Sequence, residues 1–374
     1  MIALALALTG IAAVFYVLVG YPLLLAALAR RGTPVHKGPI RPTVSVILPV
    51  RNGAPWLEQK IRSILGQDYP AELVDILILS DGSNDATDEI AQSFAGPRIR
   101  FERLSGGGKG AALTYAFPRV SGEILLLTDV RQELAPDCLR LLVECFADPV
   151  VGAVSGDLVI RRGATTGEES TGVYWRYESW IRRNLSQYDS LLGATGPIYA
   201  LRRSLAVLIP PHTLLDDVYL PMESLRRGYR LIQEPAAKAY DFPTALDSEF
   251  RRKVRTQAGI YQLFRLSPWI LTPANRLWFH WYSLKIGRLS LPFFLLLIAL
   301  ATPFTSVPWL WILLAGQLAF YGAAAVDTVA SSRLTAPFRA FLILVGAALV
   351  SVSVFFVNPL SLWKETKVSS PAGK

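Results

Sequence analysis

No charged residue occurs between Ile2 and Leu28 (IALALALTGIAAVFYVLVGYPLLLAAL). A run longer than about 20 apolar residues can cross a bilayer as a helix. A helix is also the one single-segment structure that satisfies its own backbone polar groups there. The run lacks a basic leader and a small-residue cleavage site followed by polar sequence, so residues 1–29 read as a retained transmembrane anchor rather than a signal peptide. From Leu289 the chain is apolar again, with breaks near Pro303–Pro308 and Ser331–Pro337. These breaks predict about three transmembrane helices within 289–360, over 289–304, 308–329 and 338–358, and a polar tail over 361–374. The first is short. Four full spans and a re-entrant hairpin within 289–329 put the Lys364–Lys367 tail on opposite sides, and the sequence admits both. Arg30 and Arg31 follow the anchor, and Arg276, Lys285 and Arg288 precede the next span. By the positive-inside tendency the domain between them faces the cytoplasm. The Ala-, Leu- and Arg-rich composition fits a bacterial inner membrane.

Residues 32–265 carry most of the charge and alternate strand and helix patterns, the signature of an α/β domain. The β-branched runs 44–50 and 74–80 flank a helix-period segment, 56–65, which makes a βαβ unit. The second strand ends in Asp81-Gly82-Ser83-Asn84-Asp85. Ligands of open α/β sheets sit off the carboxyl ends of the strands, which suits Asp81 to a base or ribose. Capping of the next helix by Asp81 and Ser83 explains the same residues. A strand over 99–103 leads to Ser105-Gly106-Gly107-Gly108-Lys109-Gly110 and a helix over 111–117. A glycine-rich loop opening a helix is an anion site in principle, or simply a flexible loop. It is not a Walker A loop, because Gly110 stands where Ser or Thr is required. The buried strand 123–128 ends at Asp129-Val130-Arg131-Gln132, and 151–160 and 228–240 supply further strands, the last as a hairpin or edge. Asp216 and Asp217 are adjacent at a helix start, where capping competes with a general base whose pKa is raised by its neighbour.

The segment 174–183 (YWRYESWIRR) is aromatic and basic: a membrane-surface helix, a wall of an acceptor site, or plain packing. Residues 250–262 form a strongly basic helix, and the Trp-bearing stretch within 266–288 reads as interfacial. The net charge of +9 fits both membrane headgroups and an anionic diphosphate ligand. Nucleic-acid binding is not expected, since no base-reading module is present. Cys138 and Cys145 share a helix face and read as buried thiols.

Asp81, Asp129, Asp216-Asp217 and the Arg252–Arg255 block, in this order and between membrane segments, resemble the membrane-bound family 2 glycosyltransferases. This group includes hyaluronan, cellulose, chitin and poly-N-acetylglucosamine synthases and ceramide glucosyltransferase. The resemblance implies an α/β GT-A nucleotide-sugar domain plus transmembrane helices. It implies donor contacts from Val50, Arg51, Asn52, Asp81, Lys109, Asp129, Arg252 and Arg255, and an acceptor-side loop at Gly193, Thr195 and Gly196. It also implies that Asp217 is the catalytic base, beside Asp216. Asp129 matches the first aspartate of D-x-D, but Arg131 replaces the second, which normally holds the divalent metal. Either Asp129 holds a Mg²⁺ or Mn²⁺ with phosphate oxygens and water, or the Arg131 guanidinium serves the diphosphate directly. Arg252 and Thr256 replace the glutamine and tryptophan of Q-x-x-R-W.

The resemblance implies inverting transfer from a nucleotide sugar, a UDP-sugar first, to a lipid or saccharide acceptor at the membrane. A processive synthase exporting its product, with oligomers or an export partner, is the alternative, and the lost tryptophan tilts away from it. A non-catalytic, membrane-anchored nucleotide-sugar-binding scaffold is the reading from another class.

Overall fold

The computed structural model describes residues 1–161, 166–242, 246–329, 332 and 334–356. The expected tail over 361–374, with residues 357–360, lies outside the described residues. The chain divides into two compact units: Ala29–Arg161 with Arg182–Asp241, and Met1–Leu28 with Arg162–Ile181 and Phe242–Lys374.

The first unit is built on one eight-stranded sheet. Its strands are β1 (Val44–Val50), β2 (Val74–Asp81), β3 (Ile99–Leu104), β4 (Ile124–Thr128), β5 (Glu133–Leu134), β6 (Val151–Ile160), β7 (Ile198–Arg202) and β8 (Arg230–Asp241). Their order is β3-β2-β1-β4-β7-β6-β8-β5. β1 is parallel to β2 and β4, and β2 to β3. These inner strands are almost continuously apolar because a parallel sheet is covered on both faces. Val46, Ile47 and Leu48 of β1, Ile76 to Leu79 of β2 and Leu125 to Leu127 of β4 are fully buried.

Parallel, in-register strands end at the same edge, so the loops after β1, β2 and β4 converge there. β7 runs antiparallel to β4, with Ile198 opposite Thr128. Its start therefore brings residues 193–197 to the same edge. The region expected as a last hairpin or edge is instead one long inner strand, β8, parallel to β6. The two-residue β5 forms the edge beyond it. Such a short edge strand leaves little unpaired backbone exposed.

In the second unit, four helices among the described residues are long and apolar enough to cross a membrane: Ile2–Ala29, Trp278–Phe304, Pro308–Thr328 and Pro337–Phe355. The second begins at Trp278, inside the stretch expected as interfacial. Tyr16 and Tyr21 of the first helix bond Ser283 Oγ at 2.7 Å and His280 Nδ1 at 3.0 Å on the second. Asp327 is fully buried. Its carboxylate pairs with Arg339 Nε at 2.9 Å and accepts the Thr335 hydroxyl and the Ser332 N–H. Ionisable groups at membrane depth often mark transport paths. This one ties the turn between the third and fourth helices instead. The basic helix Leu246–Leu266 also belongs to this unit.

Candidate active site

The β1 and β2 loops are locked together by side chain to backbone bonds. Asn52 takes the left-handed conformation (φ 51°). Its N–H donates to Ser83 Oγ at 3.1 Å, and its Oδ1 accepts from Asn84 N–H at 3.0 Å. Gly53 N–H donates to Thr87 Oγ1 at 2.8 Å and Ala54 N–H to Asp85 Oδ2 at 3.1 Å. Val50 is buried as the last residue of β1, and Arg51 is exposed. Asp85, Ser83 and Thr87 thus do the local loop work that the capping reading assigned partly to Asp81.

Asp81 has a different partner. It is buried, and its Oδ2 accepts the Gly108 N–H at 2.8 Å. Its Oδ1, also buried, has no hydrogen-bond partner among the described residues. An unpaired buried carboxylate oxygen is costly, and this one lies at a strand end with an acceptor to spare. The loop reaches Asp81 because Gly108 sits at φ +83°, which a side-chain-bearing residue rarely adopts.

Gly108 hands directly to Lys109. The Lys109 ammonium lies 2.8 Å from Asp129 Oδ1 and 3.3 Å from Asp216 Oδ2. Burial alone would push its pKa down, but Asp129, Asp216 and Asp217 outweigh that and hold it above the ordinary lysine value. Burial likewise pushes Asp129 up, and Lys109, Lys60 and Arg131 overcome it, so its carboxyl stays below the usual range. Lys109 therefore joins Asp129 to the Asp216-Asp217 pair.

Asp216 and Asp217 open the helix Asp216–Arg226. Asp216 is buried, and Asp217 is partly exposed. The Asp217 carbonyl accepts the Ala194 N–H at 2.8 Å. A Cβ on Gly196 would lie 2.8 Å from Asp217 Oδ2, so only glycine lets this carboxylate rest against the 193–197 loop. Arg182 fixes that loop, donating to Gly193 O at 3.3 Å, Ser155 Oγ at 2.9 Å and Thr195 Oγ1 at 3.1 Å. Thr195 N–H returns to Ser155 Oγ at 2.9 Å. The buried Tyr199 ring lies beneath. Its hydroxyl is held above its ordinary pKa by burial and by Asp216, Asp217 and Asp129.

Arg131 closes on a partner that the sequence did not reveal. Its Nε and Nη2 bond the two oxygens of Asp241 at 2.8 and 2.7 Å, and Gln132 Nε2 adds 2.8 Å to Oδ2. Lys60 was also missed. It is buried in the helix Ala54–Leu65 and donates to Thr128 Oγ1 and Gln132 O, both at 2.6 Å. Burial lowers its pKa to about 7. Its signal was present: Lys60 sits on the apolar stripe Leu57–Ile61–Ile64, where a solvated lysine has no place.

Arg252 and Arg255 lie on the helix Leu246–Leu266 of the other unit, where Arg252 pairs with Glu249 at 2.7 Å. Thr256 turns its hydroxyl back to Arg252 O at 2.9 Å. Cys138 and Cys145 are buried free thiols, as expected, and burial pushes both up to about 12.

Residues 45–207, which hold β1 to β7, match glycosyl transferase family 2. The chain carries a family 2 glycosyltransferase domain. Among curated proteins it is similar to N-acetylglucosaminyltransferases of Mesorhizobium japonicum (29% identical over 238 residues, 57% of this chain and 55% of that protein). It is similar also to one of Rhizobium meliloti (30% over 241 residues, 59% and 56%). The chain spans about half the length of these relatives. Among solved structures it is similar to a mannosyltransferase of Pyrobaculum calidifontis in complex with GDP-Man and Mn²⁺. That match has a TM-score of 0.73 and 24% identity over 94% of this chain and 99% of that one. The fold of the family 2 domain is GT-A, as the sequence resemblance implied.

Proposed function

We propose that this chain is an inverting glycosyltransferase that moves a sugar from a nucleoside diphosphate to a hydroxyl on a membrane-associated acceptor. One observation carries the reading. A single sheet edge gathers an orphaned buried carboxylate oxygen (Asp81), a cation between two carboxylates (Lys109) and a partly exposed carboxylate at a helix start, resting against the Gly196 loop (Asp217).

Asp81 binds the nucleoside by accepting its N–H or O–H groups. Asp217 takes the proton of the acceptor hydroxyl, and that oxygen bonds to the anomeric carbon from the face opposite the nucleotide. The bond to the diphosphate oxygen breaks with its electron pair, through an oxocarbenium-like transition state. The negative charge growing on the leaving oxygen needs a fixed cation nearby, and Lys109 is held at this edge. Four candidate spans favour an acceptor that is itself membrane-bound. Thr256, with no ring to stack on a sugar chain, favours one or a few transfers over processive synthesis.

The test is nucleotide release by the purified full chain in detergent, with membrane lipid extract. The panel holds UDP-sugars, N-acetylglucosamine first because of the named relatives, and GDP-mannose. Release that depends on one sugar, with that sugar recovered on a lipid-phase product, supports the reading. Tight nucleotide binding with no release from any donor would move the chain to the non-catalytic scaffold class.

A further inference from the structure

The Pyrobaculum mannosyltransferase is in complex with GDP-Man and Mn²⁺, so the fit of this site to such an ion can be tested. A hard divalent cation needs several oxygen ligands, with carboxylates supplying the protein's share. Asp129 is the one carboxylate on its loop, and its Oδ1 already carries the Lys109 ammonium. Arg131 stands two residues on, with its fork closed on Asp241. That pairing, with Gln132, engages both Asp241 oxygens. Among the described residues no group of three His, Cys, Asp or Glu side chains is placed to hold a metal. The donor set does not fit the ion.

The cation already seated on Asp129 points the same way. A metal added here would meet fixed cations on both sides, Lys109 on Asp129 and Arg131 on the same loop.

We propose that Lys109 is the resident cation of this site and that the domain binds its nucleoside diphosphate without a divalent metal. The proposal rests on the donor-binding reading above. In the resting protein Lys109 bridges Asp129 and Asp216. With donor present its ammonium, a compact charge on a flexible stem, turns to the diphosphate oxygens and gives them up to three donors. Its side chain, 15% exposed, keeps the charge at the sheet edge, where partial desolvation strengthens it. Arg131 keeps a different task. Its bidentate bond to Asp241 fixes the loop that carries Asp129, so it orients the site without touching the donor.

The experiment measures binding, not turnover. Full-length protein in detergent is titrated with UDP and with GDP, in EDTA and in Mn²⁺, by calorimetry. Free Mn²⁺ is followed in parallel by its electron paramagnetic resonance signal. The expected result is a nucleotide affinity that changes less than about twofold between EDTA and Mn²⁺, with no stoichiometric loss of the free Mn²⁺ signal. Lys109→Gln weakens that affinity about tenfold or more in both buffers, the scale of one charged hydrogen bond, and Lys109→Arg retains most of it. Wild-type binding that collapses about tenfold in EDTA, or one Mn²⁺ taken up per nucleotide, overturns the proposal while leaving the donor reading intact. Binding of neither nucleotide in either buffer overturns both.

Discussion

Replacing Lys60 by methionine should remove a rise of stability with pH between about pH 7 and pH 10.5. Lys60 is fully buried, and burial brings its pKa from 10.5 to about 7. In the unfolded chain it keeps the higher value. Below pH 7 both states carry the proton, and the folded state bears the full penalty of a buried ammonium. Above pH 10.5 both are neutral and the penalty is gone. Between the two the unfolded state binds more protons, so stability rises with pH. The gap corresponds to about 5 kcal/mol in total, of which about 2 kcal/mol falls between pH 7 and pH 9, because the folded lysine is still half protonated at pH 7.

The two hydrogen bonds of Lys60 persist across this titration, because a neutral amine can still donate to Thr128 Oγ1 and Gln132 O. Loss of these bonds in Lys60→Met is a pH-independent cost and cancels when slopes are compared. A domain of this size shifts its melting temperature about 2–4 °C per kcal/mol. Tryptophan-fluorescence melting in detergent should therefore show wild type gaining about 4–8 °C on Lys60→Met between pH 7 and pH 9. Parallel pH profiles for the two proteins would show that Lys60 does not titrate in this range and refute the reasoning.

Gly196→Ala puts a methyl 2.8 Å from Asp217 Oδ2; kcat should fall about 10–100-fold, within the reach of a displaced general base, with donor Kd unchanged in calorimetry. Arg131→Ala leaves Asp241, 1% exposed, short of its guanidinium and should cost about 3–5 kcal/mol in melting experiments; Asp241→Asn in the same chain should recover most of it. Arg182→Met removes three bonds that hold the Gly193–Thr195 turn; kcat should drop about tenfold or more with little change in donor Kd, and Arg182→Lys should not restore a geometry that needs the planar fork.

The inner strands and their order of appearance were readable because a parallel sheet buried on both faces writes itself as short β-branched runs. The chemistry at their ends was readable for the same reason: Asp81 and Asp129 each follow such a run directly. What stayed hidden depends on distance along the chain. Arg131 and Asp241 are 110 residues apart, and nothing local marks either as the other's partner. The insertion of β7 between β4 and β6 was equally invisible, since pairing direction leaves no trace in a five-residue apolar strand. Yet that insertion carries the Gly196 loop to Asp217. Arg182 was passed over because an aromatic, basic helix face reads equally well as a membrane surface. The glycine-rich loop showed its anion-site pattern, but not that Gly108 binds Asp81 while Lys109 binds Asp129 and Asp216.

The most direct test of the account compares Asp217→Asn with wild type in two assays on the same preparations: sugar-dependent nucleotide release with lipid extract, and donor binding by calorimetry. Turnover should fall by about 10²-fold or more while donor Kd stays within about twofold, because Asn keeps the shape at Gly196 and removes only the base. Turnover within a few-fold of wild type would contradict the account, since the proton of the acceptor would then leave by another group.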